Sequence, residues 1–182
     1  MSRHMIALVP LLVSLACDKP PEQDPNLADL GSSGDLAATA RDAGSDAAPI
    51  SSQLPPIGSA TELEQWLATG AYKQWACEKD PHPARSGSAH VANRICSNDL
   101  LSGSASGEFP IGSASVKELY DGSGRITGYA VGVRTQAGAL DGAWFWYERV
   151  GTTTYANGAG VPLCANCHRG APRDYIFTQV RR

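Results

Sequence analysis

Apolar positions recur at helical spacing only once along this chain. In "SATELEQWLATGAYKQW", Ser59 stands three residues before Glu62, the arrangement of a capping box, and Leu63, Trp66 and Leu67 follow on one face. This pattern predicts a helix from Ala60 to Trp75, with Gly70 as a candidate breaker. Beyond it the period shortens to two. "SASVKELY" (113–120) and "ITGYAVGVRTQ" (126–136) flank "DGSG" and read as a hairpin. "AWFWYERV" (143–150) reads as another strand, bounded by "DG" and "GTTT", and a further strand is expected over 90–97. "FPIGSAS" (109–115) reads as a turn leading into a strand. Three or four antiparallel strands with a helix predict an α+β domain.

The N-terminal third follows a different pattern. "MIALVPLLVSLA" (5–16) is an uncharged apolar run behind Arg3 and His4. It is too short to span a bilayer and contains Pro10, so it reads as the hydrophobic region of a signal peptide over 1–17. Ala16 followed by Cys17 resembles a bacterial lipobox, an imperfect one because Ser14 and Leu15 depart from the usual order. Acylation of Cys17 would anchor the exported chain to a membrane; the alternative is ordinary cleavage nearby, which would leave it in the periplasm. Residues 18–56 are rich in Pro, Asp, Ala, Gly and Ser and lack aromatics. Such a segment buries too little apolar surface to offset chain entropy and is expected to be a disordered tether. Residues 57–182 carry every Trp, Tyr and Phe and are expected to form one domain. The net charge of −3 and the absence of a basic run argue against a nucleic-acid partner.

Export changes the reading of the five cysteines. Cys17 goes to lipid or is cleaved away, and Cys164 and Cys167 belong to "PLCANCHRG". Cys77 and Cys96 remain, and in an oxidising compartment they pair most simply with each other. "CANCH" has the C-x-x-C-H form of covalent haem attachment: two thiols meet the two vinyl groups, and His168 binds iron from one face. A zinc site would need a fourth ligand, with Cys77, Cys96, His82 or His90 as candidates. A thioredoxin-like pair belongs at a helix start early in a βαβ unit, which this sequence lacks.

The second axial ligand is approached by elimination. Both methionines, Met1 and Met5, and His4 lie in the signal region, so only His82 and His90 accompany His168 in the expected mature chain. Both sit in "DPHPARSGSAH", read as a loop with solvated histidines. Without one of them over the iron, the distal face is open, which suits a small ligand better than electron transfer alone.

The order of "ANRICSND", "GEFPIGSASVKELY", a glycine-rich hairpin, "GAWFWYE", "CANCH" and "DYIFTQV" resembles the cytochrome P-460 family, which includes the cytochrome c′-beta proteins. The likeness spans about 59–180. It implies an antiparallel sheet with flanking helices, often dimeric, one haem c held by Cys164, Cys167 and His168, and an open distal site. It implies oxidation of hydroxylamine or binding of NO. The resemblance aligns Lys117 with a lysine cross-linked to haem and Arg94 with an arginine of the distal pocket. Family members that oxidise hydroxylamine carry a distal acid in the strand after the hairpin. The corresponding stretch here, 126–136, has Arg134 as its only charge, and Glu118 and Glu148 are the nearest acids in neighbouring strands.

Overall fold

The computed structural model describes residues 54–182. The signal region, Cys17 and most of the expected tether lie outside the described residues. The tether's last three positions do not: Pro55 is buried, and Leu54 lies against Gly112. The packed chain therefore includes 54–56, whose prolines give it the composition of the tether.

Helix α1 runs Ala60–Thr69. The Ser59 side chain accepts a hydrogen bond from the Glu62 N–H at 3.4 Å, which is half of the expected capping box. Gly70 ends the helix in a left-handed conformation (φ 70°), its N–H donating to the Leu67 carbonyl. The expected continuation to Trp75 is instead a separate 3₁₀ turn, Ala71–Gln74. Six strands follow: β1 Ala76–Cys77, β2 Asn93–Ser97, β3 Ala114–Tyr120, β4 Ile126–Arg134, β5 Trp144–Val150 and β6 Thr153–Ala159. Helix α2, Asp99–Gly103, lies between β2 and β3, and α3, Pro162–His168, follows β6.

The strands form one antiparallel sheet in chain order, β1-β2-β3-β4-β5-β6. With its helices this is an α+β architecture. Strands β1 and β6 and helices α2 and α3 are additional to the elements expected from the sequence. The β3–β4 turn is tied by Asp121, whose Oδ1 accepts from the Ser123 and Arg125 N–H groups at 2.9 and 3.0 Å. Cys77 and Cys96 face each other across β1 and β2 and form a disulfide.

Side chains alternate between the two faces of the sheet. On one face, Cys96, Val116, Val131 and Tyr147 form a lateral row and pack with Leu63, Leu67, Tyr72 and Trp75. On the other face run two further rows. One is Ile95, Lys117, Ala130, Glu148 and Ala156; the other is Ser97, Ser115, Gly132, Trp146 and Gly158. A Cβ on Gly132 would stand 3.0 Å from the Trp146 ring, so glycine lets that indole lie flat on β4. Onto this second face pack Val161, Cys164, Tyr175 and Ile176, against Trp144, Trp146 and Ala156.

Candidate functional site

Helix α3 carries the C-x-x-C-H segment. Pro162 is at its start, where a missing N–H costs nothing, and Ala165 is buried, which fixes the helix against the sheet. Spacings of three and four bring Cys164, Cys167 and His168 together on one side of this short helix. Both thiols are half-buried. Burial pushes the Cys164 thiol up to about 11, with the nearby Glu148 and Cys167 adding to the shift.

His168 is the most constrained of the three. Its ring lies 4.4 Å from Trp146 and 5.4 Å from Phe177, centre to centre. Nδ1 stands 2.7 Å from the Tyr175 carbonyl oxygen. A carbonyl only accepts, so Nδ1 carries the hydrogen. Burial drives the imidazole pKa down to about 4, against the opposing pull of that carbonyl, so the ring is neutral near pH 7. A neutral ring protonated at Nδ1 leaves its lone pair on Nε2, the state that a metal-binding imidazole requires.

The charges facing His168 come from three elements. Lys117 and His90 lower its pKa and Glu148 raises it. Lys117 lies on β3, on the α3 side of the sheet, and its own pKa is lowered chiefly by burial and then by Arg85, with Glu148, Glu78 and Cys167 opposing. Arg85 reaches the C-terminal segment, donating to the Phe177 carbonyl at 3.0 Å and to Thr178 Oγ1. The 79–92 loop is thereby fastened beside α3.

The two spare histidines separate. His82 is not among the groups that shift His168, and both its nitrogens are engaged: Nδ1 lies 2.8 Å from the Pro83 carbonyl and Nε2 lies 3.0 Å from Glu78 Oε2. The Pro83 carbonyl, and next the Glu78 carboxylate, raise its pKa. His90 was expected to be a solvated loop residue, and here the structure differs. Its side chain is 15% exposed, with Nδ1 3.4 Å from Glu148 Oε1. The loop folds back because Arg85 holds it to the chain's end, a contact across 92 residues that local composition cannot register.

Arg94 also departs from expectation. It lies in the lateral row of Glu118 and Tyr129, on the α1 side of the sheet, away from His168. Arg94 Nε lies 2.9 Å from Glu118 Oε2. That carboxylate is 1% exposed and also accepts from the hydroxyls of Tyr72 (2.7 Å) and Tyr120 (2.5 Å). Desolvation, then the bond to Glu118, pushes the Tyr120 phenol up to about 12. Arg94 is thus the counter-ion of a buried acid, and Glu118 is neither solvated nor near α3.

The residues present fit a covalently held haem. Two thiols share one side of a helix with a neutral, singly oriented imidazole. The buried Trp146 indole beside it has no hydrogen-bond partner at Nε1. Leu163, Phe177 and Val91, neighbours in sequence of Cys164, Ile176 and His90, leave apolar surface exposed. Among the described residues, no three His, Cys, Asp or Glu side chains gather into a metal-holding cluster, whereas a closed zinc site takes four ligands. Comparison with family models, curated proteins and solved structures returns no match for this chain.

Proposed function

We propose that this chain is an exported monohaem c-type cytochrome of the P-460 type, binding or transforming small nitrogen species such as NO and hydroxylamine. Cys164 and Cys167 hold the haem through thioethers, and His168 is the proximal ligand. The observation that carries this reading is the Nδ1 contact between His168 and the Tyr175 carbonyl, which commits the imidazole to binding through Nε2. The antiparallel sheet and the half-buried Lys117 on the α3 face agree with the family resemblance. The haem iron supplies a redox-active centre that binds small ligands. Trp146 and Phe177 flank the proximal ring and limit water there. His90, Lys117 and Glu148 provide the charged and proton-carrying groups nearest to it. Export, and anchoring through an acylated Cys17, belong to the same proposal and rest on residues 1–17.

Produced with a haem-maturation system, the full chain should keep its haem through acid–acetone extraction, and Cys164→Ala with Cys167→Ala should release it. Freely extractable haem in the wild type, or protein that holds zinc and no haem, overturns the reading.

The position of His90 favours one rival, an electron-transfer cytochrome with His90 as sixth ligand. An open distal site gives a high-spin ferric spectrum that His90→Ala leaves high-spin. A low-spin, CO-inert haem that turns high-spin in His90→Ala establishes the rival.

A further inference from the structure

We infer that Arg134 and Asp174 are positioning residues for His168, acting through the backbone of Tyr175. Asp174 and Tyr175 are the two non-glycine residues with positive φ among the described residues, at 40° and 64°. Left-handed backbone is disfavoured for Tyr and only occasionally adopted by Asp, so two such residues in succession need outside support. Asp174 supplies it. Its Oδ2 accepts from the Phe109 N–H at 2.7 Å and from Arg134 Nη1, and its Oδ1 lies 3.4 Å from Trp144 Nε1. Arg134 and Asp174 are 1% and 5% exposed, and Arg134 Nη2 also donates to Glu108 Oε2 at 2.7 Å. The Ile176 N–H closes the turn onto the Arg173 carbonyl at 2.8 Å. This turn delivers the Tyr175 carbonyl to His168 Nδ1. An ion pair anchored at the end of β4 thereby sets the orientation of the imidazole and the electron density at Nε2.

The Tyr175 phenol is a separate contact, donating to Asp141 Oδ1 at 2.7 Å. The inference therefore distinguishes the carbonyl of Tyr175 from its side chain. It rests on the haem reading only where iron is measured. The state of His168 Nδ1–H is readable by nitrogen-15 NMR of the full chain, whatever the chain carries.

The experiment compares wild type, Asp174→Asn, Arg134→Lys and Tyr175→Phe. Asparagine tolerates the left-handed backbone but lacks the charge, and lysine keeps the charge but lacks the fork. In both, His168 Nδ1–H should exchange with water about tenfold faster, the loss of one hydrogen bond of ordinary strength. In the haem-loaded protein the iron–histidine stretch should fall and the reduction potential should rise, since a less electron-rich imidazole stabilises ferric iron less. Tyr175→Phe should leave all three readings at wild-type values. If one of the two ion-pair variants fails to fold, the other decides. A folded Asp174→Asn or Arg134→Lys protein with unchanged Nδ1–H exchange overturns the inference. So does a Tyr175→Phe protein that moves all three readings as far as the ion-pair variants do. If haem is not retained, the family reading fails while the Nδ1–H comparison still decides this one.

Discussion

Lys117 and Glu148 lie in one lateral row of the sheet, with Ala130 between them on the intervening strand. On the proposed function, Glu148, beside His90 on the α3 side of the sheet, is the acid available in place of the one absent from 126–136. Glu148→Gln should leave NO binding to the ferrous protein intact. Hydroxylamine-dependent reduction of an external acceptor should fall about 100-fold, the lower range of what a positioned acid–base group contributes. Equal turnover in the variant, measured under steady-state conditions, would remove Glu148 from the chemistry.

The Arg94–Glu118 pair should be a stability element. Removing Arg94 strands the Glu118 carboxylate in the interior, so Arg94→Met alone should cost roughly 3–5 kcal/mol in denaturant unfolding. The double variant Arg94→Met, Glu118→Leu should recover much of that loss, because no charge remains buried. Arg94→Met should not change ligand affinity at the haem. A large affinity change would return Arg94 to the distal side.

Cys77 and Cys96 close a loop with a sequence separation of 19. A disulfide across a loop of that size contributes on the order of 3 kcal/mol. Cys77→Ala with Cys96→Ala should lower the melting temperature, and non-reducing peptide mapping of the wild type should recover the linked pair. Two alkylatable thiols would contradict this.

Glu64 joins α1 to β5, accepting from the Tyr147 hydroxyl at 2.7 Å and pairing with Arg149. The Tyr147 bond, then Arg149, hold its carboxyl below the usual range. A lowered folded-state pKa means stability present above the ordinary carboxylate value and lost as pH falls through the lowered one. The difference in melting temperature between wild type and Glu64→Gln should be largest near neutrality and shrink in acid. A pH-independent difference would show that packing, not charge, is what Glu64 supplies.

Much of this architecture is legible in the sequence where local chemistry is strong. Ser59 and Glu62 mark the start of α1, and the apolar alternation around "DGSG" marks β3 and β4. Strand β6 escapes notice because Thr153, Thr154 and Tyr155 are exposed and only Ala156 is buried, so an edge strand leaves little apolar signature. Arg94 illustrates a different limit. A one-residue change in strand parity moves a side chain to the opposite face, and composition does not report parity. The thiols and the imidazole are legible because their spacing is itself the chemistry. Asp174 stands in the quoted "DYIFTQV", but its partner Arg134 lies 40 residues earlier, with no local pattern joining them.

The sheet is a simple meander in which each strand pairs with the one made just before it. No hairpin of the sheet therefore needs α3 in order to close. The segment bearing Cys164, Cys167 and His168 follows the last strand, and the contact that ties it back to β4, Asp174 with Arg134, is made from still nearer the chain's end. On the haem reading, the two thiols can be reached for attachment with that contact open and the sheet intact. Because α3 contributes no strand to the sheet, this segment can be placed or displaced without any strand pair having to open.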